Sequence, residues 1–238
     1  MKVSIQKYKS AMIAKRRLII TIDGPAGSGK STTAKRVAEK LQYRYLDSGA
    51  LYRAVTLAAI KAGVDWNDAN ALAELASKCD IRLEYNQDGL RVMLNGEQVT
   101  HDIRRPDVAQ AIGPVAGNEG VRTALLQRQR QLGEDGGIVA EGRDMGTVVF
   151  PEADLKFFMV AAIEERARRR QRDLIQIGIE KDLETIKKNI GKRDADDSSR
   201  DLSPLRKPED AIEIDTTLMT IEQQVEFIVD AAIKAGAE

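Results

Sequence analysis

The stretch 24–31, with the sequence GPAGSGKS, constrains the fold of this chain more than any other feature. It fits the phosphate-binding pattern GxxxxGK[ST]. An Ile- and Thr-containing run at 18–23 precedes it and predicts a buried strand, and the spacing of apolar residues in 32–41 predicts a helix. A strand, a glycine-rich turn and a helix are the context in which this pattern binds phosphate. The sequence therefore predicts a parallel α/β sheet with a phosphate site at one edge.

Each residue type in this loop has a chemical role in binding phosphate. Glycine lacks a Cβ, so the backbone can take left-handed dihedrals and direct successive N–H groups at phosphate oxygens near a helix N-terminus. Lys30 supplies a point charge for the β and γ phosphates, and Ser31 supplies a hydroxyl that ligates Mg²⁺. We expect the phosphates of the bound nucleotide to lie against Gly24, Pro25, Ala26, Gly27, Ser28, Gly29, Lys30, Ser31 and Thr32.

The composition is that of a globular protein without a general affinity for nucleic acid. Apolar residues make up 42% of the 238 residues and charged residues 31%, and 37 basic residues balance 37 acidic ones. A nucleic acid polymer is bound through a basic excess that releases counterions, so we expect no such partner. No apolar run approaches the roughly 18 residues that span a bilayer. We expect a monomer that is not bound to a membrane.

The cysteine content and the N-terminus indicate the compartment. Cys79 is the only cysteine, so neither an intrachain disulfide nor a site of several cysteines can form, which favours the cytoplasm. Residues 1–17 are rich in Lys and Arg but lack the apolar core of a secretory signal. We interpret them as a disordered N-terminal extension, with a mitochondrial type of presequence as the alternative.

A second predicted turn from strand to helix falls at 43–53. The run 43–46 predicts a short strand, and Ser48 can cap the helix that follows. Ser48, Tyr52 and Arg53 would then lie near the phosphate-binding edge of the sheet, where open α/β folds bind their ligands. The alternative is that Ser48 only caps the helix and that solvent surrounds Arg53.

Residues 65–105 depart from the alternation of strands and helices. After one helix, three short runs alternate polar and apolar residues with a period of two, and Asp-Gly at 88–89 and Asn-Gly at 95–96 predict the turns between them. Two hairpins mean a small antiparallel sheet, which cannot belong to a parallel core. We therefore expect an inserted subdomain at this point and a core formed by 18–64 and 106–238.

Another buried strand, predicted at 137–142, brings charged residues to the same edge of the sheet. Glu141, Arg143 and Asp144 lie at its carboxyl end or directly after it. A carboxylate at this place can hold Mg²⁺, directly or through water. A structural ion pair between arginine and aspartate is the alternative.

Two charged clusters follow in the C-terminal third of the chain. Five arginines occur within ten residues of a helix predicted from residue 163: Arg166, Arg168, Arg169, Arg170 and Arg172. They fan around much of the helix, and in a chain without net charge such an excess suggests a polyphosphate partner, a solvated surface being the alternative. A cluster of basic and acidic residues at 192–201 comes after a helix predicted at 182–190.

Several of these segments together resemble the bacterial cytidylate kinase family. The motifs are GPAGSGKS at 24–31, DSGALYR at 47–53, GRDMGTVVFP at 142–151, EERARRR at 164–170 and RDADDSSRDLSPL at 193–205. The resemblance covers nearly everything from residue 18 onward. It implies a three-layer α/β P-loop kinase with a parallel five-stranded core sheet, an antiparallel insert and a mobile helical lid at about 163–180. It also implies transfer of the γ-phosphate of ATP to CMP or dCMP with Mg²⁺.

The resemblance further implies roles for individual residues. The nucleoside monophosphate would be bound by Ser48, Tyr52, Arg53, Arg122, Arg143, Asp144, Arg193, Asp197 and Arg200. The lid would close over ATP through Arg166, Arg169 and Arg170. The residues that serve catalysis would be Lys30, Arg143, Asp144 and Arg193, and Ser31 would ligate Mg²⁺. Gly113 stands where some family members place a serine near the cytosine.

No catalytic base is expected in this chemistry. The phosphate of CMP is already a nucleophile, so positioning and charge neutralisation would do most of the work. His101, the only histidine, is a poor candidate for a base. A kinase of another acceptor, such as a different nucleoside monophosphate or shikimate, is one alternative. A nucleotide-triggered switch is another, although a GTPase would need an NKxD motif and no asparagine here is followed by lysine.

Overall fold

The computed structural model describes residues 16–86, 89–176 and 178–238. Along these residues the strands are β1 (Ile19–Asp23), β2 (Arg44–Asp47), β3 (Ile81–Asn86), β4 (Gly89–Leu94), β5 (Glu97–Gln98), β6 (Ile138–Gly142), β7 (Leu155–Val160) and β8 (Ile212–Asp215). The helices are α1 (Lys30–Leu41), α2 (Ser48–Ala62), α3 (Ala69–Lys78), α4 (Pro106–Gly117), α5 (Glu119–Gly133), α6 (Ile163–Gln176), α7 (Leu183–Ser198) and α8 (Ile221–Lys234). A short 3₁₀ turn at Asp102–Arg104 and a π-helical turn at Met145–Val149 complete the elements.

Five strands form the predicted parallel core sheet, in the order β2-β6-β1-β7-β8. The register places Asp47 of β2 opposite Glu141 of β6, and Asp23 of β1 opposite Gly142. The carboxyl ends of three adjacent strands therefore coincide. Charged residues from distant parts of the chain consequently meet at one edge.

Helices cover both faces of this sheet, which gives the expected three layers. On one face, Ile20 of the sheet belongs to the same buried cluster as Val37 of α1 and Ile228 of α8. On the other face, a second cluster joins Ala140 of the sheet to helices that include α2 and α5 through residues such as Leu125. Burial of strands on both faces agrees with their nearly continuous apolar sequences.

The predicted small antiparallel sheet is present as β3-β4-β5. Asn95 and Gly96 have φ angles of 50° and 86°, which is the left-handed backbone that a tight Asn-Gly hairpin turn requires. The other predicted turn includes Asp88, which lies outside the described residues. The apolar face of this sheet packs on α2, where Val92 and Leu57 are in one buried cluster. The division of the chain at residues 65 and 105 stays a prediction.

Helices α6 and α7 pack against each other through Ala167, Leu174, Ile186 and Ile190. The predicted end of the second helix at residue 190 is wrong, because α7 continues to Ser198. Its last two turns are mainly polar and charged, so they lack the apolar period from which a helix is predicted. Part of their support comes from an ion pair between Asp194 and Arg166 of α6, at 2.6 Å. The predicted lid of 163–180 includes Ile177, which lies outside the described residues.

The predicted N-terminal extension falls mostly on residues 1–15, outside the described residues. Arg16 is part of the packed structure, since its backbone N–H donates to the Gly236 carbonyl at 2.9 Å and its guanidinium pairs with Asp154 at 2.9 Å. Arg16, which falls within the predicted extension of 1–17, is therefore packed on the rest of the structure, and the extension itself stays a prediction. Along the described residues, no helix combines the length and the apolar character needed to cross a bilayer.

Candidate active site

The loop between β1 and α1 has the backbone that phosphate binding requires. Gly24, Gly27 and Gly29 have φ angles of 151°, 78° and 94°. A Cβ on Gly24 would lie 2.2 Å from the backbone oxygen of Met159, so the loop passes too close to β7 for any side chain. The Ser28 hydroxyl donates to the Pro25 carbonyl at 3.0 Å and helps to hold the turn. Thr32, the last of the predicted loop residues, is exposed on α1.

Lys30 is the first residue of α1, and its side chain folds back over the loop. The Nζ atom donates to the Pro25 carbonyl at 3.0 Å, and only 5% of the residue is exposed. Burial lowers the pKa of Lys30 to about 7, and the positive charges of Arg143 and Arg193 lower it as well. The amine is therefore poised to gain a proton when an anion binds beside it.

Ser31 contacts the carboxylate at the end of β6. Its hydroxyl donates to Oε1 of Glu141 at 2.6 Å, and the Tyr45 hydroxyl donates to the same oxygen at 3.2 Å. Burial raises the pKa of Glu141, and the nearby charge of Asp47 raises it further. No group of three or more His, Cys, Asp or Glu side chains along the described residues could hold a metal by itself. Mg²⁺ is usually bound by one or two protein side chains together with water and substrate phosphate oxygens.

Guanidinium groups gather around the buried carboxylate of Asp197 on α7. Arg143 donates to it through Nε at 2.7 Å, Arg200 is hydrogen-bonded to its other oxygen, and Nε of Arg193 lies 4.0 Å away. Burial acts to raise the pKa of Asp197, but the three arginines outweigh it and hold the pKa below its usual value. Asp197 thus orients the arginines, and we call Arg53, Arg143, Arg193 and Arg200 the arginine cluster.

The positive charges of the arginine cluster outnumber the negative charges of the carboxylates beside it. Burial lowers the pKa of Arg193 to about 10, and the charge of Arg143 adds to this effect. Arg53 lies 3.9 Å from Asp47, at the end of β2. Four guanidinium groups therefore face two carboxylates, which leaves a strong attraction for an anion. This cluster and the Lys30 loop lie at the same edge of the sheet.

A separate polar group lies beside the arginine cluster. Arg122 of α5 forms a buried ion pair with Asp144, donates to the Ala116 carbonyl at 2.8 Å and lies 5.4 Å from the centre of the Tyr52 ring. Burial raises the pKa of Asp144, and the Arg122 charge opposes that rise. Burial also raises the pKa of Tyr52 to about 12, so the phenol stays neutral. An aromatic ring next to a fixed carboxylate suits a flat polar ligand.

Helix α2 begins at Ser48, within the predicted run, but the buried Ser48 does not cap the helix as expected. The cap is Asp47, whose Oδ1 accepts from the Ala50 N–H at 2.9 Å. Asp47 has the longer reach from the N-cap position, whereas Ser48 is already the first helical residue. Its hydroxyl lies 2.7 Å from where a Cβ on Gly142 would stand, so it faces the end of β6.

The predicted lid arginines divide into two groups. Arg166 donates to the Ala26 carbonyl at 3.1 Å, and Arg169 donates to the Ser28 carbonyl at 3.2 Å. These bonds attach α6 to the phosphate-binding loop. Arg170 is exposed on the same helix. Arg168 and Arg172, also in the basic run, are exposed and pair with Glu165.

Sequence reasoning missed Asp23, the last residue of β1. Its carboxylate is 1% exposed and accepts from the N–H groups of Met145 and Gly146 at 2.9 and 2.8 Å. Burial raises its pKa to about 7. Asp23 thus joins the strand before the phosphate-binding loop to the turn that follows Arg143 and Asp144. Its place at the carboxyl end of a core strand was the only signal in the sequence.

Gly113, which stands where some family members place a serine near the cytosine, lies on α4 with open space around it. Among the described residues, no atom apart from those of its neighbours and of its own helix backbone lies within 4 Å of the position that a Cβ would take. The position therefore contributes no side chain to the site.

Comparisons with known proteins agree with this geometry. A family model described as Cytidylate kinase matches residues 20–234. The cytidylate kinase of Bacillus subtilis strain 168 is 47% identical over 216 residues, covering 91% of this chain and 96% of the relative. That of Geobacillus kaustophilus is 48% identical over 216 residues, with the same coverage of both chains. That of Pediococcus pentosaceus is 48% identical over 210 residues, covering 88% and 93%.

The matched region contains every element of the site, from the phosphate-binding loop to the arginines of α7. Identity of nearly one half extends over almost the full length of both chains. The chain belongs to the cytidylate kinase family.

Proposed function

We propose that this chain transfers the γ-phosphate of ATP to CMP or dCMP, giving ADP and CDP or dCDP, by in-line displacement. The observation that carries the mechanism is the closeness of two cationic sites. Arg143 and Arg193 lie near enough to Lys30 for their charges to lower its pKa. A triphosphate on the loop and a monophosphate on the arginine cluster would therefore face each other across a short gap.

The donor site consists of the loop 24–32 and α6. Backbone N–H groups of the loop and Lys30 would bind the β and γ phosphates. The fit for Mg²⁺ is good, because Ser31 and the buried carboxylate of Glu141 are within 2.6 Å of each other beside the phosphate position. Mg²⁺ bound there would neutralise charge on the phosphate oxygens. Arg166 and Arg169 support the loop from α6, and Arg170, which is exposed on the same helix, would reach the nucleotide.

The acceptor site would hold the nucleoside monophosphate by both ends. Its phosphate would lie among Arg53, Arg143, Arg193 and Arg200. Its base would lie beside Tyr52, with Arg122 and Asp144 at the polar edge and Ser48 closing the crevice near Gly142. An ionised Asp144 accepts a hydrogen bond from the amino group of cytosine, whereas a uracil carbonyl would be repelled by it.

The transfer itself forms a bond between an oxygen of the CMP phosphate and the γ-phosphorus, and it breaks the bond from that phosphorus to the bridging oxygen of ADP. No side chain takes a proton from the nucleophile, since the attacking phosphate is already ionised. Lys30, Arg143 and Arg193 would stabilise the charge on the moving phosphoryl group. The α6–α7 pair would act as the lid that excludes water.

Two further properties are proposals of the same kind. We propose that the enzyme is a monomer and that it works in the cytoplasm, the location that a lone cysteine favours. Neither property is needed by the chemistry of the site.

The acceptor is tested by measuring ADP formation with CMP, dCMP, UMP, AMP and shikimate at equal concentrations. We expect CMP or dCMP to react at least about tenfold faster than the others, because cytosine offers an amino group to Asp144, whereas uracil offers a carbonyl oxygen there and shikimate has no base. Adenine also carries an amino group, but on a larger purine ring. ADP formation without any acceptor would indicate a regulatory ATPase instead. Faster reaction with shikimate or AMP would contradict the assignment.

Replacement of Arg193 by alanine tests the role of the arginine cluster. Removing a guanidinium that stabilises the transferring phosphoryl group should lower kcat by about a thousandfold or more, with the thermal unfolding temperature retained. The matched control is Lys192→Ala, since Lys192 is the neighbouring cation on α7 but is exposed. The kcat of the control should stay within about twofold of the kcat of the enzyme without substitutions. Unchanged turnover of purified Arg193→Ala would remove the proposed role.

The low pKa of Lys30 predicts proton uptake on nucleotide binding. In the free protein this pKa is about 7, so at pH 8 the amine is mostly neutral, and phosphate beside it raises the pKa and restores the charge. Calorimetry of Mg-ATP binding at pH 8, in two buffers of different ionisation enthalpy, should show uptake of most of a proton. Uptake by Lys30 should shrink at pH 6, where the amine is already charged. Lys30→Met is the control, and equal uptake by this variant would refute the assignment.

A further inference from the structure

The backbone of Ser203 has a positive φ angle, although Ser203 neither ends a helix nor forms a hairpin turn. Three residues other than glycine have a positive φ along the described chain: Gln42, Asn95 and Ser203. Gln42 ends α1 and Asn95 forms a hairpin turn, where left-handed residues are common. Ser203, with a φ of 51°, is in a loop and is followed by Pro204. Strain of this kind persists only where the surroundings enforce it.

The strained backbone directs the Ser203 hydroxyl at the buried ion pair of Arg122 and Asp144. The hydroxyl oxygen accepts from Nε of Arg122 at 3.1 Å. The Ser203 hydroxyl also lowers the pKa of Asp144, because it can donate a hydrogen bond to the ionised carboxylate. Three separate segments, α5, the turn after β6 and the loop after α7, therefore meet in one hydrogen-bonded group.

This group leaves the carboxylate with little freedom. Arg122 is itself fixed, because it also donates to the Ala116 carbonyl and lies beside the ring of Tyr52. Asp144 is 3% exposed, and burial raises its pKa, while Arg122 and the Ser203 hydroxyl both lower it. Without the hydroxyl, the carboxyl group could turn or take up a proton more readily. A protonated carboxyl can donate a hydrogen bond, which an ionised one cannot.

We propose that Ser203 is a positioning residue that holds Asp144 as a pure hydrogen-bond acceptor and thereby sets the preference for cytosine over uracil. This inference rests on the proposed function. Cytosine presents an amino donor at C4, and uracil presents a carbonyl oxygen there. A fixed, ionised carboxylate accepts a hydrogen bond from the amino group of cytosine and repels the carbonyl oxygen of uracil. A carboxyl group that can rotate or carry a proton discriminates less.

The same loop links recognition of the base to recognition of the phosphate. Ser203 follows Arg200 by three residues, and Arg200 is hydrogen-bonded to Asp197 in the arginine cluster. The segment after α7 therefore contributes to both ends of the acceptor site. A change at Ser203 should act on the acceptor and leave the ATP site intact.

The test compares kcat/KM for CMP with kcat/KM for UMP in Ser203→Ala and Ser203→Gly. Both variants lack the hydroxyl, but only glycine relieves the backbone strain. We expect the ratio of CMP to UMP to fall by about tenfold in both variants, mostly through faster use of UMP, with KM for ATP unchanged. Ser199→Ala is the matched control, because Ser199 is an exposed serine at the end of α7, and its ratio should not change.

Asp144→Asn separates failure of this inference from failure of the proposed function. If Asp144→Asn loses the preference for CMP while both Ser203 variants keep it, the role of Ser203 is overturned and the function stands. If the preference for CMP falls in Ser203→Ala but not in Ser203→Gly, the backbone strain matters and the hydroxyl does not. That result also overturns the role of Ser203. If the unchanged enzyme shows no preference for CMP over UMP, the proposed function itself fails.

Discussion

This structure depends on one constraint, which is the repulsion between cations. They are held close together at one edge of the sheet. Burial lowers the pKa of Lys30 and of Arg193, and the charge of Arg143 beside them lowers both further. Glu141 and Asp197 relieve part of the repulsion, but two carboxylates cannot balance three cations. Two phosphate groups would complete the neutralisation. Binding of both substrates should therefore stabilise the fold as well as prepare the reaction.

The parallel sheet makes this concentration of charge possible. Its register aligns the carboxyl ends of β1, β2 and β6, so that residues more than one hundred positions apart, such as Ser31 and Glu141, come within hydrogen-bonding distance. Asp23 then fixes the turn after β6 to the strand that leads into the phosphate-binding loop. The proposed donor and acceptor sites thereby lie at one edge of the sheet, and Arg166 and Arg169 attach α6 to the phosphate-binding loop.

Local patterns account for what the sequence could predict. The loop at 24–31, the parallel strands and the Asn95-Gly96 hairpin each have a short-range signature, and all three are present. The predicted end of α7 was wrong because its last turns are supported in part by the ion pair of Asp194 with Arg166 of α6 and lack an apolar period. Asp23 and Ser203 could not be assigned, since their partners are distant in the chain. The capping role of Ser48 was wrong because Asp47, one residue earlier, takes it.

A crystal structure with adenosine and cytidine joined by five phosphates tests the central claim most directly, because this ligand fills both sites at once. The account predicts that the phosphate chain runs from the loop and Lys30 to Arg143 and Arg193, with the cytosine amino group on Asp144. A structure in which only the adenosine half contacts the loop, while the cytidine lies away from the arginine cluster, would contradict it.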